Sequence, residues 1–380
     1  MKGGHIRLLF LASTLRRGGP TTQLLNIVRY LDGDQFEPVV VTLSPEPADS
    51  MRSSFQNLGV RVESLLLSRP RGMVHRRWRD DIARLAGAGL DERCVIHSHG
   101  IRPDVISSRA LSGLSRLATA RNYPYEDYRM KYGPILGRWM ARRHIQAFRA
   151  MPSVVACSET LARMLRNHGL EPIVIRDGID TSKFRPAWPA ERSQLRLELD
   201  LPQSARVGVC VGSLIARKNP LSVVRAVRAI DSSELMMIFV GGGVLEKQSR
   251  REAQGDERIR FTGQVDNVLP YLHAADFFVL ASRSEGMPNA ALEALACGLP
   301  IVLSDIDQHR ELLRLVPSTG ELFALDDARA LSAAIQRAAT PKTAARGLLP
   351  GQAAEILGAE QVSRRYQEIY LRLNREASRA

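Results

Sequence analysis

The stretch Phe277–Pro300, FFVLASRSEGMPNAALEALACGLP, runs from an apolar segment (Phe277–Ala281) through a glycine turn into a helix-forming segment that opens near Asn289. Strand, tight turn and helix in that order make the elementary unit of a parallel α/β sheet. Ligands of such sheets bind beyond the carboxyl ends of the strands, and Glu285 stands there, directly before Gly286. Backbone N–H groups of Gly286 to Asn289 are expected to face that space, which suits a diphosphate or a sugar hydroxyl. Glu293, one helical turn further on, can accept two hydrogen bonds from a pair of vicinal hydroxyls. Taken alone, the segment reads equally well as any strand–glycine–helix turn.

The same alternation extends in both directions. Apolar strands are expected near 6–12, 38–43, 94–98, 117–120 and 153–157, with helices at 20–31 and 158–168 between them. A second series follows at 206–212, 235–241, 259–262, 277–281 and 300–303. Two tandem series predict an α/β chain of two Rossmann-like domains facing across a cleft. The prolines of Phe184–Pro189 mark the junction, so the domains are expected at 1–185 and 186–358, and a last helix occupies 359–380.

Composition narrows the class. With 380 residues, 44% apolar and 24% charged, the chain is long enough for two cores and reads as globular. Lys2 precedes an apolar run at Leu8–Ala12, but Arg7 and Arg16-Arg17 cut it short, and no run reaches the roughly 18 residues of a membrane span. Four scattered cysteines without CxxC pairing argue against disulfides and metal cages, so a cytoplasmic location is expected. The net charge of +13 is one-sided: residues 1–190 hold 29 Lys+Arg against 17 Asp+Glu, and residues 191–380 hold 24 against 23. An Arg-rich composition (47 Arg to 6 Lys) explains basicity but not its asymmetry, which favours an acidic partner for the first half.

Glu285-x7-Glu293 within SEGMPNAALEALACGLP resembles the signature of family 4 retaining glycosyltransferases, whose architecture is the two-Rossmann-domain GT-B fold with a C-terminal helix that crosses back to the first domain. The resemblance extends in order along the chain through RGGPTTQLLNIVRYL (from Arg17), VIHSHG (Val95–Gly100), VVACSE, VIRDGIDTSKFRP, VGSLIARKNP, FVGGG and IRFTGQVDNVLPYLHAADFFVLAS. It implies a nucleotide-sugar donor, UDP- or GDP-linked, no cofactor, and no required metal. It also implies roles by position. Glu293 resembles the ribose-binding glutamate. Glu285, with Gly286, Met287, Pro288 and Asn289 around it, resembles the residue that contacts the donor sugar. Lys218 matches the lysine that neutralises the diphosphate, Gly19 allows close backbone approach, and His99 resembles the histidine near the reacting sugar.

Two positions depart from the pattern. Where the family often carries an Arg after the glycine of its second-domain turn, this chain has Ser213; Arg217 is the candidate replacement, although side chains adjacent on a helical turn are expected to diverge from Lys218. Asp177 stands where Asn is frequent. Arg121, Asn122 and Tyr123 follow a strand directly and are expected to contact the acceptor. Beyond them, Ile135, Leu136, Trp139, Met140 and Phe148 alternate with Arg138, Arg142, Arg143 and Arg149. That mixture reads either as an ordinary core-facing helix or as a surface that docks on anionic membrane, as does the cluster Arg71, Arg76, Arg77, Trp78, Arg79. His97 and His99 face one side of a strand without an evident third metal ligand, and Asp305-Ile-Asp307 reads as a loop.

The function expected is retaining transfer of a hexose or N-acetylhexosamine to a lipid-linked bacterial glycan at the inner face of the cytoplasmic membrane. The alternatives are a nucleotide-sugar epimerase or hydrolase on the same scaffold, a nucleic-acid-binding protein, and an inactive scaffold. Nucleic acid is not expected as a partner, since no reading helix, zinc module or aromatic sheet motif is visible.

Overall fold

A computed structural model describes residues 5–66, 78–87, 90, 93–317, 319–340 and 356–379. The chain forms two compact units, Met1–Gly178 with Ile356–Ala380, and Ile179–Glu355. The division precedes the proline-rich stretch. Arg185 belongs to the second unit, where its carbonyl accepts a hydrogen bond from His273 Nε2 at 2.9 Å and its guanidinium pairs with Glu191.

Unit 1 runs β1 (Ile6–Ala12), α1 (Gly19–Arg29), β2 (Phe36–Thr42), α2 (Arg52–Gln56), β3 (Arg61–Ser64), α3 (Trp78–Ala86), β4 (Cys94–His99), α4 (Ile101–Ala110), β5 (Ser115–Ala120), α5 (Pro124–Tyr132), α6 (Pro134–Arg149), β6 (Ser153–Ala156), α7 (Glu159–Arg166) and β7 (Ile173–Val174). The strands form one parallel sheet in the order β3-β2-β1-β4-β5-β6-β7. The order reverses between β1 and β4, whose last residues, Ala12 and His99, lie side by side. His99 therefore sits where ligands of doubly wound sheets bind.

Unit 2 runs α8 (Pro189–Glu198), β8 (Arg206–Val211), α9 (Pro220–Arg228), β9 (Leu235–Val240), α10 (Glu246–Ala253), β10 (Ile259–Gly263), α11 (Leu269–Ala274), β11 (Phe277–Leu280), α12 (Asn289–Ala296), β12 (Ile301–Ser304), α13 (Asp307–Leu315), β13 (Gly320–Phe323) and α14 (Ala328–Ala339). Its sheet, also parallel, has the order β10-β9-β8-β11-β12-β13. The reversal lies between β8 and β11, so the loops after Val211 and Leu280 meet at the switch point.

The last helix, α15 (Ala359–Ala377), returns to unit 1. It inserts Val362, Tyr366, Ile369, Tyr370 and Leu373 into a core shared with Leu8 and Phe10 of β1 and Leu24, Ile27 and Val28 of α1. Gly178 lies under it, and a Cβ there would meet the Ala359 Cα at 2.8 Å. Gln23 clamps the same glycine at both ends, donating to its carbonyl at 2.8 Å and accepting from its N–H at 2.9 Å. Strands β3, β7 and β13 were not expected from sequence. They are short, two to four residues, and their pairing is set by neighbouring strands rather than by their own composition.

Candidate functional site

In unit 2 the site is built from two loops. After β8, a 3₁₀ turn at Ala216–Lys218 raises Arg217 and Lys218 together, and Asn219 closes it in the left-handed conformation (φ 50°). After β11, Glu285 is held inward, 4% exposed. Lys218 Nζ donates to its Oε1 at 2.6 Å, Arg217 Nη1 to its Oε2 at 2.8 Å, and Ser282 Oγ to Oε1 at 2.6 Å. The expected divergence of Arg217 and Lys218 is thus corrected: one buried carboxylate lies between the two cations, with an oxygen for each. Arg217 also donates to the Ser284 carbonyl at 2.9 Å, and its own carbonyl accepts from the Arg283 N–H at 2.8 Å. The two loops are therefore pinned to each other.

Burial alone would raise the Glu285 carboxyl, but Lys218 and Arg217 outweigh it and bring it down to about 2. Glu285 is a permanent anion, and the three side chains together carry one net positive charge. Glu293, one turn into α12, has the opposite balance. Desolvation pushes its carboxyl up to about 7, with Lys183 and Lys218 pulling weakly the other way. Among the described residues none hydrogen-bonds this carboxylate.

The loop amides need one correction. Asn289 N–H is taken by the Met287 carbonyl at 2.9 Å, and Pro288 has no N–H. The amides left without a partner among the described residues are those of Gly286 and Met287, both in buried residues. Ser213, exposed, lies on the loop after β8 between Gly212 and the 3₁₀ turn. The Gly241-Gly242-Gly243 turn has a packing reason: a Cβ at Gly241 would meet the Gly212 carbonyl oxygen at 2.2 Å, and one at Gly243 the Leu214 carbonyl oxygen at 2.4 Å. Asp305 is taken up by Arg310, with contacts of 2.6 and 2.7 Å.

Sequence reading missed His309 on α13. Fully buried, it bonds the Ser304 carbonyl through Nδ1 at 2.7 Å, and burial brings it down to about 4 despite Glu285 nearby. It backs the loop that carries Ser282, since Ser304 Oγ donates to the Ser282 carbonyl. A lone histidine after a strand offered no signal for this role.

In unit 1, both ring nitrogens of His97 are engaged, Nδ1 by the Tyr370 hydroxyl at 2.8 Å and Nε2 by Thr119 Oγ1 at 2.7 Å. Tyr366 bonds the same threonine at 3.1 Å. His97 thereby links β4, β5 and α15. Its ring lies 4.1 Å from that of His99. Neither nitrogen of His99 has a partner among the described residues, and desolvation, then Arg121, holds it well below the usual histidine range. Arg121, directly after β5, pairs through Nη1 with Asp177, which is 3% exposed. Asp177 in place of the frequent Asn thus has a physical partner that sequence reading did not supply. The Tyr123 hydroxyl and His168 Nε2 share a hydrogen bond of 2.8 Å, and Asn122 is partly exposed. Gly19 is the first residue of α1.

The segment 134–149 resolves into two halves. Ala141, His144, Ile145, Ala147 and Phe148 are buried, as in an ordinary core-facing helix. The other half, with the end of α5, is exposed and apolar: Met130 39%, Tyr132 40%, Ile135 87%, Leu136 50% and Trp139 48%. Arg129, Lys131, Arg138 and Arg142 surround it, exposed, and Arg143 stacks 4.8 Å from the Trp139 ring. The hairpin is tight because Gly137 abuts α5; a Cβ there would meet the Tyr128 carbonyl oxygen at 2.4 Å. Of the other basic cluster, Arg71, Arg76 and Arg77 lie outside the described residues. No helix among the described residues is long and apolar enough to cross a membrane.

Comparison with known proteins agrees with this arrangement. Residues 17–183 match the model of Glycosyltransferase Family 4, and residues 205–340 that of Glycosyl transferases group 1. The chain is 27% identical over 236 residues to the Escherichia coli UDP-Gal:alpha-D-GlcNAc-diphosphoundecaprenol alpha-1,3-galactosyltransferase, covering 58% of this chain and 60% of that one. It is 28% identical over 187 residues to a Corynebacterium glutamicum GDP-mannose-dependent monoacylated alpha-(1-6)-phosphatidylinositol monomannoside mannosyltransferase, covering 46% and 49%. The chain thus spans about half the length of the curated relatives it matches. Among solved structures, Anabaena Alr3699/HepE in complex with UDP superimposes with a TM-score of 0.76 at 16% identity, covering 95% of this chain and 98% of that one. At that identity the likeness speaks for the fold, the same two-domain GT-B architecture. With one family model lying largely on each Rossmann-like unit, the chain belongs to glycosyltransferase family 4.

Proposed function

We propose that this chain is a retaining, metal-independent glycosyltransferase that moves a hexose or N-acetylhexosamine from a UDP- or GDP-sugar to a lipid-linked glycan in bacterial cell-surface polysaccharide synthesis. The observation that carries the reading is the Arg217–Glu285–Lys218 cluster at the switch point of unit 2, beside the amides of Gly286 and Met287, which have no partner among the described residues. A departing nucleoside diphosphate needs positive charge placed before the reaction begins, and that is what fixed dipoles and cations supply. Glu285 holds both cations in position, and the cluster's one net charge favours a diphosphate. Glu293 receives the ribose hydroxyls. No side chain needs to become a covalent nucleophile, because the departing diphosphate accepts the acceptor's proton on the same face. Metal independence belongs to the proposal because Arg217 and Lys218 supply the charge that a divalent cation would otherwise bring. His99, Arg121, Asn122 and Tyr123 receive the acceptor. The substrates named for the two relatives, UDP-Gal or GDP-mannose with lipid-linked acceptors, support both choices of donor and the acceptor class. The exposed apolar and basic face of α5 and α6 is the surface that would rest on an anionic membrane, and the location is cytoplasmic, on its inner face.

The test begins with a screen of UDP, GDP and ADP for thermal stabilisation, since a ligand that binds only the native state raises its stability. Sugar transfer is then followed with the stabilising donor and a membrane glycolipid extract. Lys218→Ala is expected to lower kcat/KM by about a hundredfold or more. Activity should survive chelation by EDTA, and the product should keep the donor's anomeric configuration. A Lys218→Ala variant within twofold of wild type would overturn the assignment of the donor site. Donor turnover that needs no acceptor would point to the epimerase or hydrolase instead.

A further inference from the structure

Arg121 is a buried cation of unit 1 that uses only one of its three guanidinium nitrogens among the described residues. Its side chain is 11% exposed, and Nη1 is bound by Asp177. Its Nε and Nη2 are buried and have no partner among the described residues. These two nitrogens lie on one edge of the planar guanidinium and direct parallel N–H bonds the same way, the fork that meets two oxygens of one carboxylate or phosphate. A single hydroxyl oxygen would have to be shared between the two donors, at poorer angles than two oxygens allow. Buried donors with no partner are costly to a fold and rare in native structures, so their pairing here is informative.

The neighbourhood supplies the rest of a site. Asp177 fixes the guanidinium plane through the nitrogen that the fork does not need, and its charge lets the cation remain in a dry environment. His99 lies close enough to Arg121 to feel its charge, and both of its ring nitrogens are likewise buried and unpartnered among the described residues. A neutral imidazole offers one donor and one acceptor. It therefore complements an oxyanion that has a hydroxyl beside it, as in a sugar phosphate or a uronate. Behind His99, the His97–Tyr370 and His97–Thr119 bonds keep the strand end from relaxing toward Arg121.

We propose that the Nε/Nη2 edge of Arg121, with His99 beside it, is a binding site for an oxyanion on the acceptor, so that this enzyme selects acceptors carrying a phosphate or carboxylate next to a sugar hydroxyl. The proposal rests on the glycosyltransferase reading above, and it assigns a chemistry to the acceptor that the reading leaves open.

The experiment uses the full chain at fixed ionic strength, with inorganic phosphate, glucuronate and glucose titrated separately and thermal stability followed. Wild type is expected to be stabilised by phosphate or glucuronate and not by glucose; whichever acts identifies the source of the oxyanion. Arg121→Lys keeps a charge opposite Asp177 but lacks the fork, and should weaken that response by about tenfold or more. The double variant Arg121→Gln/Asp177→Asn removes both charges together and should abolish it while keeping the fold. The response must persist in Lys218→Ala, which separates it from phosphate bound in unit 2. An oxyanion response in Arg121→Lys within twofold of wild type, or none in wild type, would refute the proposal. UDP stabilisation should be unchanged in every Arg121 variant. Loss of UDP binding in wild type itself would instead count against the donor-site reading.

Discussion

Replacing Glu293 by Gln should make the protein more stable and less able to bind nucleotide. The carboxyl sits at about 7 in the fold against an ordinary 4.5, chiefly through burial. The folded state therefore binds this proton more tightly than the unfolded chain does. Stability from this group is complete below about pH 4.5, declines as pH rises through the window from 4.5 to 7, and is gone above it. The difference corresponds to about 3 kcal/mol at alkaline pH, an upper figure because the residue keeps some exposure. Gln has nearly the same shape, and no described residue hydrogen-bonds the carboxylate that it replaces. Glu293→Gln should thus exceed wild type by about 2–3 kcal/mol at about pH 8, with the gap closing near pH 5. For a unit of this size that is a rise in Tm of about 5–10 °C. Calorimetry of both proteins across the pH range measures it. UDP titrations complete the test, because ribose hydroxyls donate best to an ionised carboxylate. Affinity in wild type should rise with pH through about 7, and Glu293→Gln should bind weakly at every pH. A variant no more stable than wild type at alkaline pH, or a stability gap that ignores pH, would refute the reasoning.

Two further outcomes are expected. Removing residues 356–380 should prevent unit 1 from folding, because the five core side chains of α15 are each worth about 1.5–3 kcal/mol and together rival the stability of a domain; native-like melting of unit 1 in the truncated chain would contradict this. Ile135→Glu with Trp139→Glu should leave thermal stability unchanged, both side chains being exposed, while weakening binding to vesicles rich in anionic lipid by about tenfold or more. Sedimentation with vesicles checks this, and equal binding by variant and wild type would remove the hairpin from the membrane.

How much could be read from sequence differs from one part of the chain to another. The loop Ser282–Asn289 and the helix after it were legible because a strand, a glycine turn and a helix are local patterns, and Glu285 and Glu293 are fixed within them by short spacing. The ten strands that carry clear apolar runs were legible for the same reason. Strands β3, β7 and β13 were not, because pairing with a neighbour rather than composition makes them strands.

Tertiary structure decided which charges meet. Nothing in the spacing of residues 217, 218 and 285 says that one carboxylate will bind both cations, nor that Asp177 answers Arg121 across 56 residues of chain. The division of α6 into a buried half and an exposed apolar half also depends on how tightly Gly137 lets it lie on α5. Hydrophobic periodicity specifies elements over a few turns of chain. Ion pairs, orphaned donors and protonation depend on distances between loops, which only packing sets.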